Sequence, residues 1–210
     1  MEKIKVLFLD IDGVLQPDSA RMDGERFNID RKALVERLTK ELETDYYQYN
    51  EYDVAAVYCD WDKEAIATLK HILDETGAKI VVSSDWREND ARWVVTKRPN
   101  KMRDLLRIHG LDKYYIGDTP DFIKVPDHDE KKEIYSFRVV EINHYLEVNK
   151  DRIENYVALD DMDLVRGGYV GNFIHTESLI TKEQGEECIL MLNKKPSKIK
   201  EILNKLFKRG

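Results

Sequence analysis

The apolar residues of this chain fall into short unbroken runs, separated by stretches that repeat at helical spacing. The runs are "VLFL" at 6–9, "KIVVSS" at 79–84, "YYIG" at 114–117 and "YVALDD" at 156–161, with a fifth possible strand, "GNFIHT", at 171–176. The first, second and fourth lack polar alternation, as strands covered on both faces of a parallel sheet do. Between them, 61–75 sets Ala65, Ile66, Leu69, Ile72 and Leu73 on one helical face, and Gly77 follows as a stop. Residues 100–109 gather Met102, Leu105, Leu106 and Ile108 before Gly110, and 138–149 gather Val139, Ile142, Tyr145 and Leu146. Strands alternating with helices predict an α/β fold, an open sheet with right-handed crossovers.

One stretch breaks the alternation. Residues 16–60 hold a turn-rich piece, a helix near 30–43 and the tyrosine-rich "DYYQYNEYDVAAVY". They form an insertion after the first strand, placed to lie across the strand ends as a flap or small cap. Tyr46, Tyr47, Tyr49, Tyr52 and Tyr58 are candidates to line it; Tyr47 and Tyr49 also share the parity of a half-buried strand. At the other end, "TKEQ" opens a capped helix over 181–193. The tail 196–210 reads as an amphipathic helix, with Ile199, Ile202, Leu203, Leu206 and Phe207 opposite lysines. The whole of 1–210 is expected to form one domain.

Composition narrows the class. Hydrophobic residues make up 42%, enough for a core, and a net charge of −7 argues against wholesale coating of nucleic acid. A local basic excess over 87–107 remains (Arg87, Arg92, Lys97, Arg98, Lys101, Arg103 and Arg107). It reads either as a guide for a polynucleotide or as a solvated helix face. Cys59 and Cys188 have neither metal nor disulfide spacing, and no run reaches the roughly 18 apolar residues of a membrane span. These features lead to the expectation of a cytoplasmic protein without a membrane partner.

The chemistry enters at "VLFLDIDGVLQ", 6–16. In an open α/β sheet ligands sit beyond the carboxyl ends of the strands. Asp10, Ser83 with Ser84, and Asp160 with Asp161 all fall at such ends. Clustered carboxylates repel, and a hard cation such as Mg²⁺ is one remedy. Asp10 and Asp161 would supply carboxylates to it. Strand alternation turns the Asp12 side chain away from that of Asp10, so Asp12 would offer its backbone carbonyl to the metal and keep its carboxyl for proton transfer. A carboxylate attacking phosphorus gives an aspartyl-phosphate, and a second carboxyl would protonate the leaving oxygen and then activate water.

These residues resemble the haloacid dehalogenase superfamily of phosphohydrolases. "FLDIDGVL" resembles its first motif, "IVVSSDWR" its second with Ser83 at the phosphate-binding hydroxyl, and "YVALDDMD" its acidic fourth. The third motif needs a Lys or Arg at the start of the helix before the last of these strands. Arg138 fits best, with Lys131 and Lys132 as alternatives. "SSDWR", "GDTP" at 117–120, "R-x-x-E-I" at 138–142 and "HTESLITKEQGEECILMLN" are similar to a subgroup of small domains found in bacteria and in RNA-repair gene contexts. The resemblance covers roughly 3–193. It implies a Rossmann-like three-layer fold, Mg²⁺ and phosphomonoester hydrolysis, with Asp161 on the metal directly and Asp160 in support. The segment 16–60 is longer than the simplest flap of the family, whose capless members tend to take large substrates and whose capped members take small ones.

The expected partner is a phosphorylated small molecule or a nucleic-acid end. Arg87 is a candidate planar fork for phosphate, or else a salt-bridge residue. Trp86 and Trp93 are candidates to stack on a base, or packing residues. The five histidines show no ligand spacing. Two other activities stay open at this point: a phosphotransferase passing the phosphoryl group to an alcohol, and a silent module of the same fold that binds phosphate or RNA ends.

Overall fold

The computed structural model describes residues 3–87, 101–120 and 130–194. The tail 196–210, Arg92, Trp93, Lys97, Arg98 and His128 lie outside the described residues, as do the side chains of Lys131 and Lys132.

Five strands, β1 (Ile4–Leu9), β2 (Lys79–Val82), β3 (Tyr115–Asp118), β4 (Ile153–Asp160) and β5 (Phe173–His175), form one parallel sheet in the order β3-β2-β1-β4-β5. The helices are α1 (Ala20–Asp23), α2 (Arg31–Glu41), α3 (Glu51–Cys59), α4 (Lys63–Thr76), α5 (Lys101–Arg107), α6 (Glu130–Val148) and α7 (Lys182–Asn193). Alternate residues of the strands face opposite layers. Leu7, Leu9, Ile80, Val82, Val157 and Leu159 pack under α4, α5 and α7. Val6, Phe8, Val81 and Ala158 pack on the other face against Val139 and Ile142 of α6. This is the α/β, three-layer arrangement that the unbroken apolar runs and the resemblance imply. Among the described residues, no helix is long and apolar enough to cross a membrane.

Local chemistry sets the element ends. Asp62 accepts from the amides of Glu64 and Ala65 to start α4, and Gly77, with φ +66°, ends it in the left-handed region. Thr181 and Gln184 close a capping box on α7. The tyrosine-rich stretch departs from strand parity. Asp45 accepts from the amide of Tyr47 and Asn50 from that of Tyr52, so each nucleates a helical turn, a 3-10 turn over Tyr46–Gln48 and then α3. Tyr46 and Tyr49 are consequently core residues, their hydroxyls bonded to the backbone and carboxylate of Asp104. Leu34, Val35 and Leu38 of α2 join the same core, which seats the insertion on the sheet domain.

The register positions the site. Leu9 pairs with Val82 on one side and Leu159 on the other. The next residues, Asp10, Ser83 and Asp160, therefore leave the sheet level with one another. The amide of Asp10 still donates to Leu159 and that of Ser83 to Leu9. β1 is where the chain order reverses direction across the sheet, the usual place for a ligand crevice.

Candidate active site

Three carboxylates meet at these strand ends. One oxygen each from Asp10, Asp160 and Asp161 lie within 4.8 Å of one another. Burial, followed by the neighbouring Asp10, pushes the Asp161 carboxyl up to about 6. Asp160 is also raised, by burial first and by Asp10, against the pull of Arg138. Such a set is short of positive charge.

Arg138 supplies part of it. α6 delivers its guanidinium, buried, to 2.8 Å from Asp160 and 3.3 Å from Asp10, with a further hydrogen bond to the Ser83 carbonyl and Asp85 at 3.5 Å. Burial opposes the charge of Arg138, but Asp160, Asp10 and Asp85 more than offset it, so it stays protonated. Asp160 spends one oxygen on Arg138 and the other on the amide of Met162. The three acids together could hold a divalent cation, and their hard-oxygen donor set suits Mg²⁺.

Gly13 makes the convergence possible. Its φ is +69°, and a Cβ there would stand 2.4 Å from the Asp161 Cβ. Its carbonyl accepts from Thr176 at the end of β5. Only glycine permits both the left-handed backbone and the close approach of Asp161.

The Asp12 carboxyl is not one of the three that converge. Its two oxygens accept from Gln16 Nε2 at 2.8 Å and from the indole Nε1 of Trp86 at 3.2 Å. A cavity of about 310 Å³ opens there, lined by Asp12 and Trp86 from the body and by Gln16, Arg26, Phe27 and Tyr52 from the insertion. The contact between Asp12 and Trp86 joins distant parts of the chain, and no spacing signal announces it. Gln16 was likewise missed; its only sequence signal is that it ends the turn begun at Asp12.

Arg87, a candidate for either phosphate or a salt bridge, is taken up by the protein itself. It binds Glu141 at 2.9 Å, the Ser84 carbonyl at 2.6 Å, and both oxygens of Thr119, with both charged side chains almost wholly buried. The "R-x-x-E-I" spacing thus acquires a physical meaning. Arg138 reaches the acids, Glu141 braces the loop after β2 through Arg87, and Ile142 enters the core. Ser83 and Ser84 are both buried at the end of β2. The Ser83 hydroxyl accepts from Thr119 at 3.4 Å, and that of Ser84 from the Trp86 amide at 3.4 Å. The described members of the basic stretch are also paired internally: Lys101 with Asp53 at 2.8 Å and Arg107 with Asp112 at 3.0 Å, while Arg103 lies over the Tyr115 ring.

A family model described as the HAD domain in Swiss Army Knife RNA repair proteins matches residues 6–183. No curated protein matches the chain.

Proposed function

The chain belongs to the HAD domains of Swiss Army Knife RNA repair proteins, and on that footing we propose that it is a Mg²⁺-dependent phosphomonoester hydrolase acting on a nucleotide or a nucleic-acid terminal phosphate. The observation that carries the reading is the level exit of Asp10, Ser83 and Asp160 from the sheet, with Arg138 among them. Asp10 is the nucleophile. Its carboxylate oxygen forms a bond to phosphorus as the bond from phosphorus to the leaving oxygen breaks, and Asp12 gives that oxygen its proton. Asp12 then takes a proton from water as the water attacks phosphorus, which releases phosphate and restores Asp10. Ser83 donates its hydroxyl to a phosphoryl oxygen. Arg138 holds Asp10 in place and adds positive charge where negative charge grows. Asp10, Asp161 and the Asp12 carbonyl would hold the Mg²⁺, with Asp160 in support. When bound, the ion neutralises the acid cluster and polarises the phosphoryl oxygens.

The test is phosphate release from a panel of aryl, sugar, nucleoside and oligonucleotide phosphates, with and without Mg²⁺, wild type beside Asp10→Asn. Release that requires both Mg²⁺ and Asp10 is expected. Release that survives Asp10→Asn overturns the assignment. Binding of RNA ends without any turnover would favour the silent module.

A further inference from the structure

The pocket beside Asp12 is not needed to hold a phosphoryl group, and its walls are of another kind. Phe27 and Tyr52 stay 44% and 41% exposed, their rings 6.1 Å apart at 51°. Single exposed aromatic rings are ordinary. Here two of them share one cavity with a third ring, Trp86, which is braced edge-on by Trp61 at 5.9 Å. A guanidinium group lies over each of the first two rings. Arg31 lies 4.0 Å from the Tyr52 ring centre and bonds its hydroxyl at 3.1 Å, and Arg26 lies 4.8 Å from the Phe27 ring. The stacked arginines hold the rings and, although Asp60 pairs with it, Arg26 places a cation on the wall of a pocket in an acidic chain. Gln16 adds a buried acceptor, its Oε1, with no hydrogen-bond partner among the described residues. At about 310 Å³ the cavity is at the small end of ligand pockets, which run from ~300 to ~1,000 Å³.

We propose that this pocket takes the base of a nucleoside phosphate, stacked among Trp86, Tyr52 and Phe27, and that Trp86 is also a positioning residue that aims Asp12 through its indole N–H. The proposal deepens the phosphatase reading and rests on it, since Asp12 is the group that meets the leaving oxygen. The ring that recognises the base is the ring that holds the carboxyl moving the proton. A leaving group without a base fills the pocket poorly and leaves the Trp86 face bare. A free nucleoside monophosphate and the terminal nucleotide of an oligonucleotide present the same base and phosphate.

Binding is measured in the Asp10→Asn protein by calorimetry, with adenosine 5′-monophosphate, ribose 5-phosphate and a 5′-phosphorylated oligoribonucleotide as probes. Stacking contributes enough for about a tenfold preference for the base-bearing probe, and Tyr52→Ala and Trp86→Ala each abolish most of it. Tyr52 is exposed, so its variant keeps the test open if Trp86→Ala fails to fold. In the Asp10 background, Trp86→Phe keeps a ring and loses the N–H. Its kcat falls about tenfold while KM moves less than about twofold, a split that mere loss of packing does not give. Equal affinity for the two small probes, a preference that Tyr52→Ala leaves intact, or no binding of either overturns the proposal. Base-dependent binding without turnover would sink the phosphatase reading and leave the pocket standing; turnover without base preference would do the reverse. Oligonucleotide binding as tight as that of the monophosphate identifies the strand end as the source, and monophosphate binding alone identifies the free nucleotide.

Discussion

Asp10, Asp160, Asp161 and Arg138 occupy strand ends and one sheet-covering helix, whereas Phe27, Tyr52 and Trp86 sit on the insertion and on the loop after β2. The first group is highly charged, with Asp10, Asp160 and Arg138 buried and Asp161 half-buried, and its charges are tolerable only together. Asp160 is raised by burial and by Asp10, Arg138 is held between the two acids, and Gly13 must lack a side chain for Asp161 to approach. The second group is half-open and aromatic; Phe27 and Tyr52 are held by stacked arginines and Trp86 by Trp61. The contrast separates chemistry from selection. Substitutions in the acidic pit should remove activity or stability outright, while those in the pocket should shift the choice of substrate.

The largest effect is expected at the nucleophile. Asp10→Asn is nearly isosteric and relieves acid repulsion, so phosphate release should fall about 10³-fold or more with no drop in Tm. A variant that lost stability along with activity would blur the division between the regions. Next is the brace beneath the pit. Glu141→Gln leaves the buried Arg87 guanidinium without its carboxylate, and unfolding in urea should show a loss of about 3 kcal/mol. If Arg87 served substrate phosphate instead, stability would scarcely move. Gly13→Ala follows, with about 2 kcal/mol lost to the left-handed backbone and the collision with Asp161, accompanied by weaker Mg²⁺ binding in a metal titration.

The smallest effect is a pH dependence of the metal-free protein. Folded Asp161 keeps its proton up to about 6, above the usual carboxylate range. Between about pH 4 and pH 6 the native state therefore binds more protons than the unfolded chain, and stability falls as pH rises. Solvent screening at this half-buried group limits the change to about 1 kcal/mol. Melts across that window should show the decline without Mg²⁺ and its removal with Mg²⁺. A metal-free protein that gained stability over the same range would mean that the acids do not repel as the geometry implies.

The pit was largely legible in the sequence because strands buried on both faces read as unbroken apolar runs. The acids then fall where the runs stop. Register does the rest: once Leu9 lies between Val82 and Leu159, the following residues meet without any further signal. The choice among Arg138, Lys131 and Lys132 depends on which helical face meets the sheet; the Arg138 side chain is packed among the acids, and those of Lys131 and Lys132 lie outside the described residues. The pocket was much less legible. The tyrosines carried strand parity, but Asp45 and Asn50 capped helical turns and sent Tyr46 and Tyr49 into the core. Arg87 has the same side chain whether it grips phosphate or Glu141, and only the arrival of α6 decides which it touches. The hydrogen bond from Trp86 to Asp12 spans the insertion, and nothing in the local sequence encodes it.

The most direct test of the central claim is to give the Asp12→Ala protein an aryl phosphate, whose leaving oxygen departs without a proton, quench in acid and map the phosphoryl adduct by peptide mass. Without Asp12 to activate water, the phosphoryl group should accumulate on the peptide carrying Asp10 and be absent from Asp10→Asn. Continued phosphate release with no adduct, or an adduct on another residue, would contradict the account.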